Sequence, residues 1–79
     1  MTTLHRARNW KIQVFGREHG IPHFHVWTPD AAAVVAIDTL TVLSGSVDAR
    51  ALEEARAWAT EHRAELMAEW CRLNPEKPL

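Results

Sequence analysis

His23 and His25 are the residues of this chain best placed to do chemistry. They stand two apart in Pro22-His23-Phe24-His25-Val26, an alternating apolar run. In a β-strand successive side chains point to opposite faces, so the two imidazoles share one face and Phe24 and Val26 share the other. Two steps of strand rise set their Cα atoms about 7 Å apart. Rings at that spacing can hold one metal ion or one phosphate, or act as the acid and base of a proton transfer. As metal ligands they need a third donor, such as His19, His62 or an acidic residue, because two imidazoles do not close a zinc site. His19, in the preceding loop, is the more accessible addition to His23 and His25. As catalysts, with Arg17 or Lys11 to stabilise a phosphorane, His23 and His25 fit cleavage of an RNA phosphodiester: one ring takes the 2′-OH proton and the other protonates the leaving oxygen. A structural role competes with both, since a histidine beside a proline at a strand start can cap a turn through its ring nitrogens. No cofactor is expected, and the catalytic, metal-binding and structural alternatives stay open at this point.

The elements that position these rings follow from periodicity. Trp10, Ile12 and Val14 alternate with Lys11, Gln13 and Phe15, a half-buried strand. Residues 16–20, Gly-Arg-Glu-His-Gly, read as a loop. Pro22 opens a second strand over about His23 to Thr28, which Pro29-Asp30 ends. Ala31 to Ile37 and Leu40 to Leu43 read as a third and a short fourth strand. The short links between them require antiparallel neighbours. Ser44-Gly45-Ser46 reads as a break, Asp48 as an N-cap, and the following segment is rich in strong helix formers. Leu52, Ala55, Ala59, His62, Leu66, Trp70 and Leu73 form one helical stripe that Asn74-Pro75 ends. A helix of that length overhangs the sheet, which leaves room for a kink near Thr60 to Arg63. The expected architecture is therefore α+β: a four-stranded antiparallel meander over residues 9–44, followed by a long C-terminal helix over 48–73 packed on one sheet face. Residues 1–8 are expected as an N-terminal arm and 74–79 as a tail.

One helix shields one face. Trp10, Ile12, Val14, Phe24 and Val26 are nominated for the covered side, which leaves Phe15, His23, His25 and Trp27 on the other with Lys11 and Gln13. An open antiparallel face that meets only water is polar. This one carries aromatic rings around two histidines, the composition of a contact surface. Phe15, His23, His25 and Trp27 are the expected partner-binding residues, for a protein partner or a second copy of the chain.

Composition narrows the classes. At 79 residues and 47% hydrophobic, the chain reads as one small globular domain. Nine basic and ten acidic residues give a net charge of −1, so no basic excess marks an obligate nucleic-acid binder, although RNA belongs to the catalytic reading. The single cysteine, Cys71, makes no internal disulfide, no apolar run is long enough for a bilayer, and the first residues lack a signal-peptide core. A cytoplasmic protein with no membrane role is expected. His62 reads as a hydrogen-bonded core histidine, two or three of the four tryptophans as core, and Glu61, Glu65, Glu69, Arg56, Arg63 and Arg72 as a solvated helix face.

The segment Pro22-His23-Phe24-His25-Val26, after a short strand and a charged loop, together with the run from Glu61 to Trp70, resembles the DUF4160 domain, a family of small bacterial proteins of unknown function. The resemblance extends from about Trp10 to Leu73. Members commonly carry two prolines before the first histidine, where this chain has Ile21-Pro22. The resemblance implies a compact domain of strands and helix, often associated with a second small protein in toxin–antitoxin-like gene pairs, and it brings no established activity. The function expected from all of this is an interaction protein, one component of such a pair. The alternative is a ribonuclease-type toxin or metal-dependent hydrolase that uses His23 and His25.

Overall fold

Ile12 and Val14 project from one side of strand β2 (Lys11–Val14), and Phe24 and Val26 from the same side of β3 (His23–Trp27). All four are fully buried. The cross-strand pairs explain this, since Ile12 lies opposite Val26 while Gln13 lies opposite His25. The computed structural model describes residues 1–18 and 20–75. It shows a five-stranded antiparallel meander completed by β1 (Thr2–Arg6), β4 (Ala32–Ala36) and β5 (Val42–Ser46), in spatial order β1-β2-β3-β4-β5. Helices α1 (Ala49–Glu61) and α2 (Arg63–Leu73) follow. Their apolar side chains join Ile12, Val14, Phe24, Val26 and Val35 in one core.

The α+β class and the antiparallel meander agree with the sequence, but there are five strands rather than four. Residues 2–6, expected as an arm, pair with β2 along its whole length. Thr3 lies opposite Gln13 and His5 opposite Ile12, so Leu4 is an extra residue in a bulge. A bulge shifts the alternation by one and conceals the strand from a period-two reading. The last strand is displaced for a related reason. Val34 pairs with Ser44 and Val35 with Val42, which leaves Leu43 as the extra residue. Ser44-Gly45-Ser46, expected as a break, lies inside β5. Gly45 adopts φ +73°, and a Cβ there would collide with the Ala32 carbonyl oxygen, so glycine is what lets β5 approach β4.

The long helix is two helices that meet at His62, inside the stretch expected to kink. His62 adopts φ −126°, ψ 25°, and its N–H donates to the Ala59 carbonyl at 3.1 Å. Asp48 caps α1 as expected, accepting from the Ala51 amide at 3.0 Å. Ala51, Ala55 and Ala59 are the buried residues of α1, and their small side chains bring the helix close to the sheet. Leu66 and Trp70 are those of α2. Of the anticipated stripe, Leu52, His62 and Leu73 are only half-buried. Arg63, assigned to the solvated face, instead donates from Nε to the Ile37 carbonyl at 3.1 Å and ties the start of α2 to the sheet.

Candidate functional site

The site lies where the β2–β3 loop folds back over the start of β3. Glu18 Oε1 is 2.7 Å from His23 Nε2 and 3.2 Å from His25 Nε2, so one carboxylate oxygen serves both rings. The donor atoms of Glu18, His23 and His25 all lie within 4.8 Å of one another. The strand supplies the two imidazoles, as the spacing predicts. The loop supplies the carboxylate, and that loop is fastened to the distant end of α2. The Glu18 amide donates to Asn74 Oδ1 at 3.1 Å, and Asn74 Nδ2 donates to the carbonyls of Phe15 at 3.1 Å and Trp70 at 3.0 Å. One side chain thus caps α2 and holds both flanks of the loop turn. Gly16 lies against the Leu73 carbonyl, where a side chain would be crowded.

Hydrogen-bond accounting narrows the state of His23. Its Nδ1 is 2.8 Å from the Ile21 carbonyl, an acceptor only, so Nδ1 carries a proton. Its Nε2 therefore faces Glu18 with a lone pair or a second proton. A lone pair and an ionised carboxylate repel at 2.7 Å, so the contact holds only with a proton or a cation between them. The hydrogen bond with His23 holds the Glu18 carboxyl below its ordinary range, against partial burial that pushes it up, and His25 adds to the lowering. Aromatic rings wall the site. The His23 ring is 4.8 Å from the Trp70 indole, and His25 has the edge of Phe15 at 4.6 Å and the stacked Trp27 at 6.2 Å.

The chain matches the family model for a domain of unknown function, DUF4160, over residues 9–71. It belongs to this family. No curated protein and no solved structure matches it significantly.

Within this DUF4160 domain, the residues nominated from sequence separate into distinct environments. His23 and His25 are brought together on one carboxylate. Phe15 and Trp27 each adjoin the His25 ring, which projects opposite the buried Phe24 and Val26. His23 is instead buried, with its ring against α2, so at the start of β3 the division into covered and open faces fails. It is therefore removed from the surface a partner could touch. Arg17 is exposed in the left-handed region, φ 58°, and among the described residues no hydrogen bond or ion pair links it to the histidines. Lys11 sits opposite Trp27 on β2. His19 lies outside the described residues. His62 is remote from the site, with Nδ1 on the Trp58 carbonyl at 2.8 Å and its ring stacked on that indole at 4.0 Å. The acidic residue that the structure brings beside the two histidines is Glu18. Only its place in the charged loop hinted at it, because the tie to Asn74 spans 56 residues.

At the other end of the strands, a cleft of about 610 Å³ is lined by Arg8, Trp10, Asp30, Asp48, Arg50 and Glu54 among others. Its charges are mixed in sign and partly spent on one another. Glu54 accepts from Trp10 Nε1 at 2.9 Å and from Arg50 at 3.3 Å.

Proposed function

We propose that this DUF4160 chain is a small cytoplasmic interaction protein, one half of a toxin–antitoxin-like pair, which docks a protein partner or a second copy of itself on the sheet face that no helix covers. The observation that carries this reading is Trp27. It is 36% exposed, stacks beside His25, and shares its face with half-buried Phe15 and Val34. An indole left in water on such a surface gains on desolvation by a partner, which is why tryptophans concentrate the energy of interfaces. The face is rigid, because its backbone belongs to the central strands. Trp27→Ala tests it directly. Sedimentation velocity of the chain alone, and with the product of the adjacent gene, should show association weakened at least tenfold while the cooperative thermal melt is kept and shifts by no more than a few degrees. Equal association before and after the substitution rules the face out.

The shared Glu18 oxygen favours a second reading, a hydrolase or ribonuclease-type toxin. Both nitrogens of buried His23 are engaged, so it serves as a positioning group, and His25 becomes the reacting ring. Its side chain is 19% exposed, and among the described residues its Nδ1 has no hydrogen bond. Under this reading expression arrests growth and His25→Ala relieves the arrest. An arrest that survives the substitution removes His25 from any reaction.

A further inference from the structure

We infer that Glu18, His23 and His25 form a binding site for one first-row divalent transition-metal ion, with zinc as the reference case. The inference uses the side chains of the hydrolytic reading but does not depend on any reaction, nor on the docking face.

Four features of the cluster support it. The donor set is two neutral imidazoles and one carboxylate, the combination that suits zinc and its neighbours rather than calcium or magnesium, which take oxygen ligands. The donor atoms already converge within 4.8 Å without any ion to gather them. His23 Nδ1 donates to the Ile21 carbonyl, which fixes the tautomer and turns Nε2 toward the centre. Metal-bound histidines are held by this kind of outer hydrogen bond. The backbone that carries the carboxylate is anchored as well, since the Glu18 amide donates to Asn74 Oδ1 at the end of α2. The His23 ring and the Glu18 backbone therefore have little conformational freedom to lose when an ion arrives.

Charge agrees, and so do the two distances to Glu18, while the two imidazole nitrogens, within 4.8 Å, draw closer around an ion. With the proton between them the Glu18–His23 pair is neutral overall; a dication that takes its place releases that proton and meets one carboxylate and two neutral imidazoles. Bond lengths of about 2.0–2.1 Å to nitrogen and oxygen in a tetrahedral shell place those atoms about 3.3 Å apart. The Glu18–His25 separation of 3.2 Å already matches, and the Glu18–His23 separation of 2.7 Å opens by roughly half an ångström. Glu18 is on a loop with its side chain 31% exposed, so a small rotation supplies that movement. Trp70 and Phe15 close two sides of the cluster, while the exposed edges of Glu18 and His25 leave an entry path. Three protein ligands leave a fourth position for water or for a group from a partner, the arrangement of open rather than closed zinc sites.

The test uses the full chain stripped with a chelator and titrated with Zn²⁺ alone by calorimetry. One equivalent should saturate it. Glu18→Gln and His25→Gln, chosen because both side chains are partly exposed, should each weaken binding at least tenfold, while His62→Gln binds as the parent does. X-ray absorption on the zinc-loaded parent requires no substitution, and should report two imidazoles with the remaining ligands oxygen. Absence of saturable binding, parental affinity in the Glu18→Gln and His25→Gln variants, or fewer than two imidazoles around the ion would each overturn the inference. Trp27→Ala should bind zinc normally, so failure of the metal site and failure of the docking face are separately visible.

Discussion

Two histidine clusters stand in this domain, and they use the same ring in opposite ways. At the start of β3, His23 and His25 turn their edges inward so that Nε2 atoms meet on Glu18. Beside α1, His5 and His62 turn their faces inward instead, and sandwich the Trp58 indole at 4.9 Å and 4.0 Å with interplanar angles of 22° and 11°. Trp10 adds a further ring 5.3 Å from His5. In the second cluster His62 Nδ1 is engaged by the Trp58 carbonyl, and among the described residues no carboxylate joins it. Stacked faces contribute packing, since offset aromatic contacts add to the apolar area they bury. Converged edges contribute lone pairs and protons. Counting histidines near tryptophans therefore does not locate chemistry; the direction of the ring nitrogens does.

The largest effect that separates the clusters is on stability. Trp58→Ala removes the ring between His5 and His62 and should cost about 2 kcal/mol, below the full-burial range because Trp58 is half-buried. Urea denaturation measures it, and zinc affinity should not change. Asn74→Ala cuts the tie between α2 and the Glu18 loop. It should cost about 1–2 kcal/mol, because three hydrogen bonds are lost and some partners regain water. Hydrogen exchange at the Glu18 amide should quicken, which marks the loop as loosened while the His5–Trp58–His62 stack is untouched. Trp27→Ala should cost less than about 1 kcal/mol, since much of the ring is already in water, and its effect should appear in association.

The smallest effect belongs to neither cluster. Arg72 and the Thr2 hydroxyl hold the Glu69 carboxyl at about 2, below its ordinary 4.5, and so tie α2 to β1. A carboxyl lowered in the folded state adds stability that is complete above about pH 4.5 and is lost as pH falls toward 2. With Arg72 largely exposed the contribution is modest. Thr2→Val should flatten the acid limb of a stability-against-pH curve and leave both ring clusters as they are.

What the sequence disclosed follows the same division. The partition of Ile12, Val14, Phe24 and Val26 from Gln13 and His25 was legible because period-two alternation is a local property of the chain. The cap at Asp48 and the joint near His62 were legible because capping chemistry and helix length are local too. The strand over Thr2–Arg6 was hidden by its bulge at Leu4, and β5 by a bulge at Leu43 together with a glycine that resembled a break. At the site, the imidazole pair announced itself, whereas Glu18 did not. Its position is set by Asn74, far along the chain, and the burial of His23 is set by Trp70 on a helix that follows every strand. Side chains placed by tertiary contacts leave no periodic mark.

Nitrogen-15 spectra of the imidazole rings, recorded before and after one equivalent of Zn²⁺, test the contrast most directly. Large changes are expected at the Nε2 atoms of His23 and His25 and none at the rings of His5 and His62. Equal changes in both clusters, or no change at His23 and His25, would contradict it.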